Sequence, residues 1–169
     1  MKTIIIFRHA STNAATEHQI DYDRTLTPRG LKDAERMGCY LLEKNIKPDV
    51  VFSSSAIRAK KTAEVAYTAG DWKSIFFLEP KIYGGSPYFL LDLIKQQHDS
   101  YNSICLVGHE PNFSNFIAKS INTTTYIDFP TAAMAKIDFD IQEWIQTDFK
   151  IGILDWLTHP KEVISNQER

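Results

Sequence analysis

The sequence predicts an α/β fold, a three-layer α/β/α sandwich with a mostly parallel central sheet, and three observations lead to this class. Short apolar runs recur along the chain, and their length and composition are typical of strands buried on both faces. Segments with apolar residues at helical spacing alternate with these runs, which is the pattern of a parallel sheet with crossover helices. Near the C-terminus two runs follow one another with only a turn between them, which predicts an antiparallel hairpin at one side of the sheet.

Six segments are predicted as strands, and the first is the clearest because it is an almost continuous apolar run. The third is expected to be an outer strand, and the last two form the hairpin around a turn at residues 140–143. From about residue 158 onward the chain is polar, and this tail is expected to fray. In chain order the strands are residues 3–7, 50–52, 74–78, 103–107, 134–139 and 149–156.

Four helices are predicted between the strands, and each begins with a recognisable signal. Thr27-Pro28 and Ser86-Pro87 each place a capping hydroxyl before a proline, which suits the first helical position. Serines at positions 53–55 precede the second helix, and Pro111 opens the fourth. The predicted helices are residues 28–45, 56–69, 87–98 and 112–120.

The first helix is predicted to be amphipathic, because apolar residues return at helical spacing along it. Gly38 lies on the apolar face, where the lack of a side chain allows close packing. The residues expected on the buried face are Leu31, Ala34, Gly38, Leu41 and Leu42.

The composition is that of one globular domain over residues 1–169, with 43% apolar and 24% charged residues. A net charge of -2 without blocks of like charge argues against a nucleic-acid surface. The sequence has no apolar run that could span a bilayer and no signal-peptide pattern, so no membrane contact is expected. Cys39 and Cys105 fall inside predicted elements and are expected to be reduced and buried, which favours a cytoplasmic protein.

Four side chains that could bind an anion or act as a nucleophile follow three of the predicted strands. Arg8 and His9 come directly after the first strand, and His109 follows the fourth. Arg58 lies in the first turn of the helix after the second strand, where free N–H groups favour an anion. Because the carboxyl ends of parallel strands meet at one edge of the sheet, the four are expected to form one pocket.

This combination of side chains favours phosphoryl chemistry. Two arginines match the oxygens of a phosphate, and phosphoryl transfer depends mostly on placement and charge neutralisation. A neutral imidazole is a competent nucleophile when one ring nitrogen is held by a hydrogen bond. The histidines lack the spacing of metal ligands, so neither a metal nor another cofactor is expected.

Three motifs carry a further indication: Arg8-His9 after an apolar strand, residues 53–59 with Thr62-Ala63, and residues 108–111. Together they resemble the histidine phosphatase superfamily, which has a phosphoglycerate mutase-like fold. The resemblance implies that His9 is transiently phosphorylated and that Arg8, Arg58 and His109 hold the phosphoryl group. The short chain and residues 23–30 and 130–133 resemble in particular its small SixA-type branch of phosphohistidine phosphatases.

The sequence departs from the wider family at two places. Ala10 replaces the usual glycine after the nucleophile, as also occurs in the small branch. Larger relatives place an acidic glutamate in the loop after the third strand, and here Glu79 is the candidate general acid in a context that does not match. Asp21 and Asp23 are weaker candidates, for which helix-start or salt-bridge roles are favoured. Thr131 is a candidate for lining the pocket.

The expected function is therefore a cofactor-independent phosphatase that acts through a phosphohistidine intermediate. The preferred substrate is phosphohistidine on a protein, such as a phosphorelay component, because an imidazole leaving group needs little help from an acid and an uncapped site admits a side chain of another protein. Two alternatives stay open: a phosphomonoesterase for a small phosphate ester, and a phosphate-binding module that docks a phosphorylated partner without turnover. A mutase is not expected, because a mutase needs an insertion that closes over the substrate and a clearly identified general acid, and the sequence shows neither.

Overall fold

The computed structural model describes residues 1–167, and its strands and helices alternate along most of the chain as the sequence predicted. The strands are β1 (Lys2–Arg8), β2 (Val50–Ser53), β3 (Ile75–Leu78), β4 (Ser103–Gly108), β5 (Met134–Phe139) and β6 (Ile153–Thr158). The helices are α1 (Pro28–Glu43), α2 (Ile57–Ala69), α3 (Pro87–Lys95), α4 (Asn112–Ser120) and α5 (Pro160–Gln167).

The strands form a mixed six-stranded sheet in the order β3-β2-β4-β1-β5-β6. The first four in this order run parallel to one another, which brings their carboxyl ends to one edge. Strand β5 is antiparallel to β1, and β6 is antiparallel to β5, so the predicted antiparallel pair lies at one side of the sheet. The expectation that the third strand is an outer strand is also confirmed.

Alternate residues of β1 face two separate cores, which explains why the whole strand is apolar. Ile4 and Ile6 pack in a core that includes residues of α3 and α4. Ile5 and Phe7 pack on the other side with residues of α1 and α2. All four side chains are fully buried, and the three-layer architecture follows from these two cores.

Helix α1 begins as predicted, but two residues assigned to its buried face are exposed. The Thr27 hydroxyl accepts the backbone N–H of Gly30 over 2.9 Å and caps the helix. Leu31 and Leu42 are 37% and 41% exposed, whereas Met37 is fully buried. Leu42 is rotated by one residue from the buried stripe and Leu31 lies at its margin in the first turn, so neither faces the core.

The C-terminal part of the chain corrects two predictions. Thr158 is the last residue of β6 and is buried, and α5 follows it, so the expectation of a frayed tail from about residue 158 is wrong as far as residue 167. Val163 anchors this helix because its side chain is buried in the core shared with α1 and α2. Residues 168–169 lie outside the described part of the chain.

The connection between β5 and β6 is longer than the predicted turn at residues 140–143. It contains a 3₁₀ turn, Trp144–Gln146, and β6 starts later than expected. The buried Trp144 indole N–H donates to the carbonyl oxygen of Tyr101 over 2.9 Å, so this apolar and aromatic stretch packs as a turn instead of extending the strand. Within residues 1–167, none of the helices combines the length and the apolar character that crossing a bilayer requires.

Candidate active site

The strand register brings three candidate positions to the same edge of the sheet. Arg8 pairs with Gly108 in the parallel β1–β4 ladder, and the His9 N–H donates to the Gly108 carbonyl oxygen over 3.0 Å. Ser54 follows β2, and its N–H donates to the Val107 carbonyl oxygen over 2.9 Å. The chain therefore leaves β1, β4 and β2 at the same height, and the residues that follow these strands become neighbours.

Arg58 reaches this edge from the first turn of α2. Its Nε–H donates to His9 Nε2 over 3.3 Å, and its side chain is almost completely buried. The Thr62 hydroxyl accepts the Ala10 N–H over 3.0 Å and donates to the Arg58 carbonyl oxygen over 2.7 Å. Helix α2 is thus fastened to the chain just after β1, which fixes Arg58 beside His9.

The His9 ring is held in one orientation by hydrogen bonds on both nitrogens. Because the guanidinium of Arg58 can only donate, Nε2 is an acceptor, and the proton is on Nδ1, which donates to the Ala10 carbonyl oxygen over 2.8 Å. Burial lowers the pKa of His9 to about 4, and the charges of Arg58 and Arg8 act in the same direction. At neutral pH the ring is therefore uncharged and presents a lone pair on Nε2, as a nucleophile requires.

His109 lies against His9, with their ring centroids 5.4 Å apart. Its Nε2 lies 2.8 Å from the hydroxyl of Ser54, and burial together with the surrounding positive charge lowers its pKa to about 3. Two nitrogens of this site are buried without a hydrogen-bond partner among the described residues: Nδ1 of His109 and Nε of Arg8. A buried donor without a partner costs free energy. The His109 ring lies next to the His9 ring, and the charge of Arg8 acts on His9. Both nitrogens are therefore suited to donate to the oxygens of an anionic ligand.

The structure therefore brings together all four residues that the sequence singled out. Arg8 is anchored by a 3.1 Å hydrogen bond from its Nη1 to the Phe129 carbonyl oxygen, and its charge acts on both histidines. The four side chains combine two permanent positive charges with a neutral nucleophilic imidazole and a second imidazole. This arrangement can neutralise a phosphoryl group while His9 attacks it.

Thr131 lies beside the segment that follows β1, whereas Glu79 does not contact the four core side chains. The Thr131 hydroxyl is 3.1 Å from that of Ser11, and the next residue, Ala132, donates its N–H to the His9 carbonyl oxygen over 2.9 Å. The Glu79 carboxylate accepts the Lys81 N–H over 3.1 Å and caps the 3₁₀ turn Pro80–Ile82. Among the contacts of residues 1–167, Glu79 has none with the four core side chains.

Three site residues were missed or ranked too low by the sequence. The Asp21 carboxylate forms an ion pair with Arg58, 2.9 Å away, which confirms the salt-bridge role considered for it. The Tyr83 hydroxyl donates to the same carboxylate over 2.7 Å. This hydrogen bond, together with Arg24 and Arg58, holds the pKa of Asp21 well below its usual range. Ser54 was recognised only as one of three serines before a helix. The sequence offered Asp21 only as a weaker candidate for the acid, and no pattern distinguishes Tyr83 from an ordinary loop aromatic.

The fold and the site define a class of α/β proteins with paired histidines and arginines at the carboxyl edge of a mainly parallel sheet. Residues 4–75 match the model of the histidine phosphatase superfamily (branch 1). An uncharacterized protein of Mycobacterium tuberculosis is 33% identical over 107 residues, which cover 63% of this chain and 65% of that protein. The chain thus matches a little less than two thirds of this relative's length.

Solved structures with the same fold come from proteins with two different assigned activities. A structure from Agrobacterium tumefaciens, assigned as the phosphohistidine phosphatase SixA, has a TM-score of 0.82 at 24% identity and covers 94% of this chain and 98% of that one. Phosphoglycerate mutase from Plasmodium falciparum has a TM-score of 0.63 at 17% identity, with 92% and 89% covered. At these identities the likeness shows the fold, and it confirms the phosphoglycerate mutase-like architecture.

Proposed function

We propose that this protein is a cofactor-independent phosphatase in which His9 accepts the phosphoryl group, and that its preferred substrate is phosphohistidine on another protein. The observation that carries the proposal is the state of His9. Its Nδ1–H is bound to the Ala10 carbonyl oxygen, so the lone pair of Nε2 is directed at the Arg58 side chain in a buried, positively charged site. A neutral nucleophile beside fixed cations is what transfer of a phosphoryl dianion needs.

The reaction follows in two steps from these positions. In the first, Nε2 gives up its hydrogen bond from Arg58 and its lone pair forms a bond to phosphorus. The bond from phosphorus to the leaving group breaks, and that group takes up a proton from water. Arg8, Arg58 and His109 hold the phosphoryl oxygens. In the second step water attacks phosphorus and the bond to Nε2 breaks, which releases inorganic phosphate and returns His9 to its neutral form.

The choice of a phosphohistidine substrate rests on the leaving group. An alkoxide leaves poorly without a positioned acid, which is worth roughly 10²–10⁴ in rate. The carboxylate of Asp21 lies at the site, but it pairs with Arg58 and Arg24 and accepts the Tyr83 hydroxyl, so it is held ionised and carries no proton to give. An imidazole leaving group accepts a proton readily near neutral pH and needs less help. The likeness to the SixA structure supports the same substrate class.

A substrate panel tests the proposal directly. The protein is mixed with a protein phosphorylated on histidine, with sugar phosphates and with an aryl phosphate, and the release of inorganic phosphate is measured. We expect the phosphohistidine protein to be hydrolysed with at least a roughly 100-fold higher kcat/KM than the sugar phosphates. A preference for the sugar phosphates would instead make the protein a small-molecule phosphomonoesterase.

A second arm detects the intermediate. After rapid mixing and quenching, an acid-labile phosphoryl label is expected on wild-type protein and absent from His9→Ala. His18→Ala is a matched control, because His18 is exposed and lies outside the site. Binding of the phosphorylated partner without turnover or label would make the protein a phosphate-binding module, and hydrolysis by His9→Ala would remove His9 from its role.

A further inference from the structure

The Arg58 guanidinium is held through its terminal nitrogens by one residue of the loop after β1. Its Nη1–H donates to the backbone carbonyl oxygen of Asp21 over 2.7 Å, and its Nη2–H donates to Asp21 Oδ2 over 2.9 Å. The Nε–H donates to His9 Nε2. All three nitrogens of the guanidinium are therefore engaged, and the observed orientation makes the contacts with Asp21 and with His9 together.

Asp21 is itself fixed by side chains from two other segments. Its Oδ2 accepts the Tyr83 hydroxyl over 2.7 Å, and its Oδ1 accepts Nη1–H of Arg24 over 3.1 Å. Arg24 is tied down in turn, since it donates to the Thr12 hydroxyl over 2.6 Å and to the Asn13 carbonyl oxygen over 3.1 Å. A residue that is about half exposed thus accepts hydrogen bonds on both carboxylate oxygens from three different side chains.

Tyr83 connects this carboxylate to the other side of the site. Its ring meets the ring of His109 edge-on at 5.3 Å, and the Arg58 guanidinium lies 5.8 Å from its centroid. It also contacts Tyr22, edge-on at 5.1 Å. The loop that carries Asp21 and the loop that carries Tyr83 therefore meet over Arg58 and His109.

We propose that Asp21 is a positioning residue for Arg58, and that the Asp21–Tyr83 hydrogen bond joins two loops into a clamp that keeps the guanidinium directed at His9. The proposal rests on the proposed function, because a directed guanidinium matters only if a phosphoryl group reaches Nε2 of His9. Arginine has many rotamers, and the clamp selects one before substrate binds. A misplacement of about 1 Å at such a group costs roughly 100-fold in rate, so the clamp acts mainly on the chemical step.

The chain offers a closely matched control for the test. Asp23 lies in the same 3₁₀ turn as Asp21, Asp21–Asp23, is exposed, and makes no side-chain contact with Arg58 among the described residues. Asp21→Asn and Asp23→Asn therefore make the same change of charge two residues apart. We expect Asp21→Asn to lower kcat on a phosphohistidine protein by at least about 10-fold while KM changes less than about 3-fold, and Asp23→Asn to stay within about twofold of wild type.

Tyr83→Phe is expected to lower kcat less than Asp21→Asn does, and the double variant is expected to be no slower than Asp21→Asn alone, because both changes break one clamp. A structural role without positioning would lower thermal stability and leave kcat of the folded protein unchanged. Equal kcat values for the Asp21→Asn and Asp23→Asn variants, or an increase in the former, would overturn the proposal.

A measurement without substrate separates this inference from the proposed function. The Nε–H resonance of Arg58 is assigned by its loss in Arg58→Lys, and its hydrogen exchange is followed by NMR. We expect exchange to be at least about 10-fold faster in Asp21→Asn than in wild type and unchanged in Asp23→Asn. If no phosphate compound is hydrolysed but this difference is seen, the proposed function fails and the positioning contact stands. If exchange is the same in all three proteins, the positioning contact itself is refuted.

Discussion

His9 and Ala10 are joined by a hydrogen bond of 2.8 Å, from Nδ1 of the ring to the carbonyl oxygen of the next residue. This bond uses the one proton of the neutral ring and leaves Nε2 as an acceptor for Arg58. The orientation and the tautomer of the nucleophile are thus set jointly by the backbone carbonyl immediately after β1 and by the Arg58 guanidinium, which can only donate. Its charge state is set separately, by burial and by the neighbouring arginines.

The lowered pKa of His9 predicts a contribution to stability that depends on pH. The pKa is about 4 in the folded protein and about 6.5 in an unfolded chain, so between these values the unfolded state binds more protons. The contribution is complete above about pH 6.5 and is lost as the pH falls toward 4, with a slope of at most about 1.4 kcal/mol per pH unit. Urea denaturation at several pH values should show a smaller loss on acidification for His9→Gln than for wild type.

His18→Gln serves as the control in this experiment, because it removes an exposed histidine outside the site. It should keep the wild-type dependence on pH. If wild type and His9→Gln lose the same free energy of unfolding between pH 7 and pH 5, His9 is not held neutral by the fold.

The hydrogen bond between Ser54 and His109 predicts a catalytic effect of a residue outside the core four. The Ser54 hydroxyl lies 2.8 Å from His109 Nε2 and also accepts the Ala56 N–H over 3.2 Å. Ser54→Ala leaves the buried His109 nitrogen unpaired and frees the ring, so we expect kcat/KM to fall at least about 10-fold and stability by about 1–2 kcal/mol. The neighbouring Ser55→Ala change should leave kcat/KM within about twofold of wild type and the free energy of unfolding within about 0.5 kcal/mol. Equal activity of the two variants would show that His109 does not depend on Ser54.

Gly38 predicts a stability effect that has nothing to do with the site. A Cβ atom at this position would clash with the backbone oxygen of Ala66, where α1 packs on α2. Gly38→Ala must push the two helices apart, and we expect a loss of about 1–3 kcal/mol in thermal or urea unfolding. Lys32→Ala, at an exposed position of the same helix, should change stability by less than about 0.5 kcal/mol. If Gly38→Ala leaves the stability unchanged, the interface between α1 and α2 can accommodate an added methyl group.

The sequence predicted the sheet and the four core side chains because each rests on a local pattern. The run at β1 is apolar on both faces, and a polar residue that follows such a strand must lie at its carboxyl end whatever the rest of the chain does. The hydroxyls of Thr27 and Ser86 cap their helices as expected, since capping depends on neighbours in sequence. In these cases the physical cause lies within a few residues of its effect.

The missed features depend on contacts between distant segments. Tyr83 meets Asp21 across 62 positions of the chain, and neither residue differs locally from an ordinary loop residue. Helix α5 is held by Val163, an apolar side chain in a mainly polar stretch, and this contact depends on the core formed with α1 and α2. Periodicity carries no information about such tertiary contacts.

Glu79 provides the sharpest test of how the leaving group is protonated. The position suits the acidic glutamate of larger relatives, but its carboxylate caps the 3₁₀ turn Pro80–Ile82 through the Lys81 N–H. We therefore expect Glu79→Gln, whose amide oxygen can still accept that N–H, to keep kcat/KM on a phosphohistidine protein within about threefold of wild type. The measurement is the initial rate with purified variants, and His9→Ala in the same assay marks complete loss. A fall of roughly 10²–10⁴ would identify Glu79 as the acid, and it would mean that the loop after β3 moves when substrate binds.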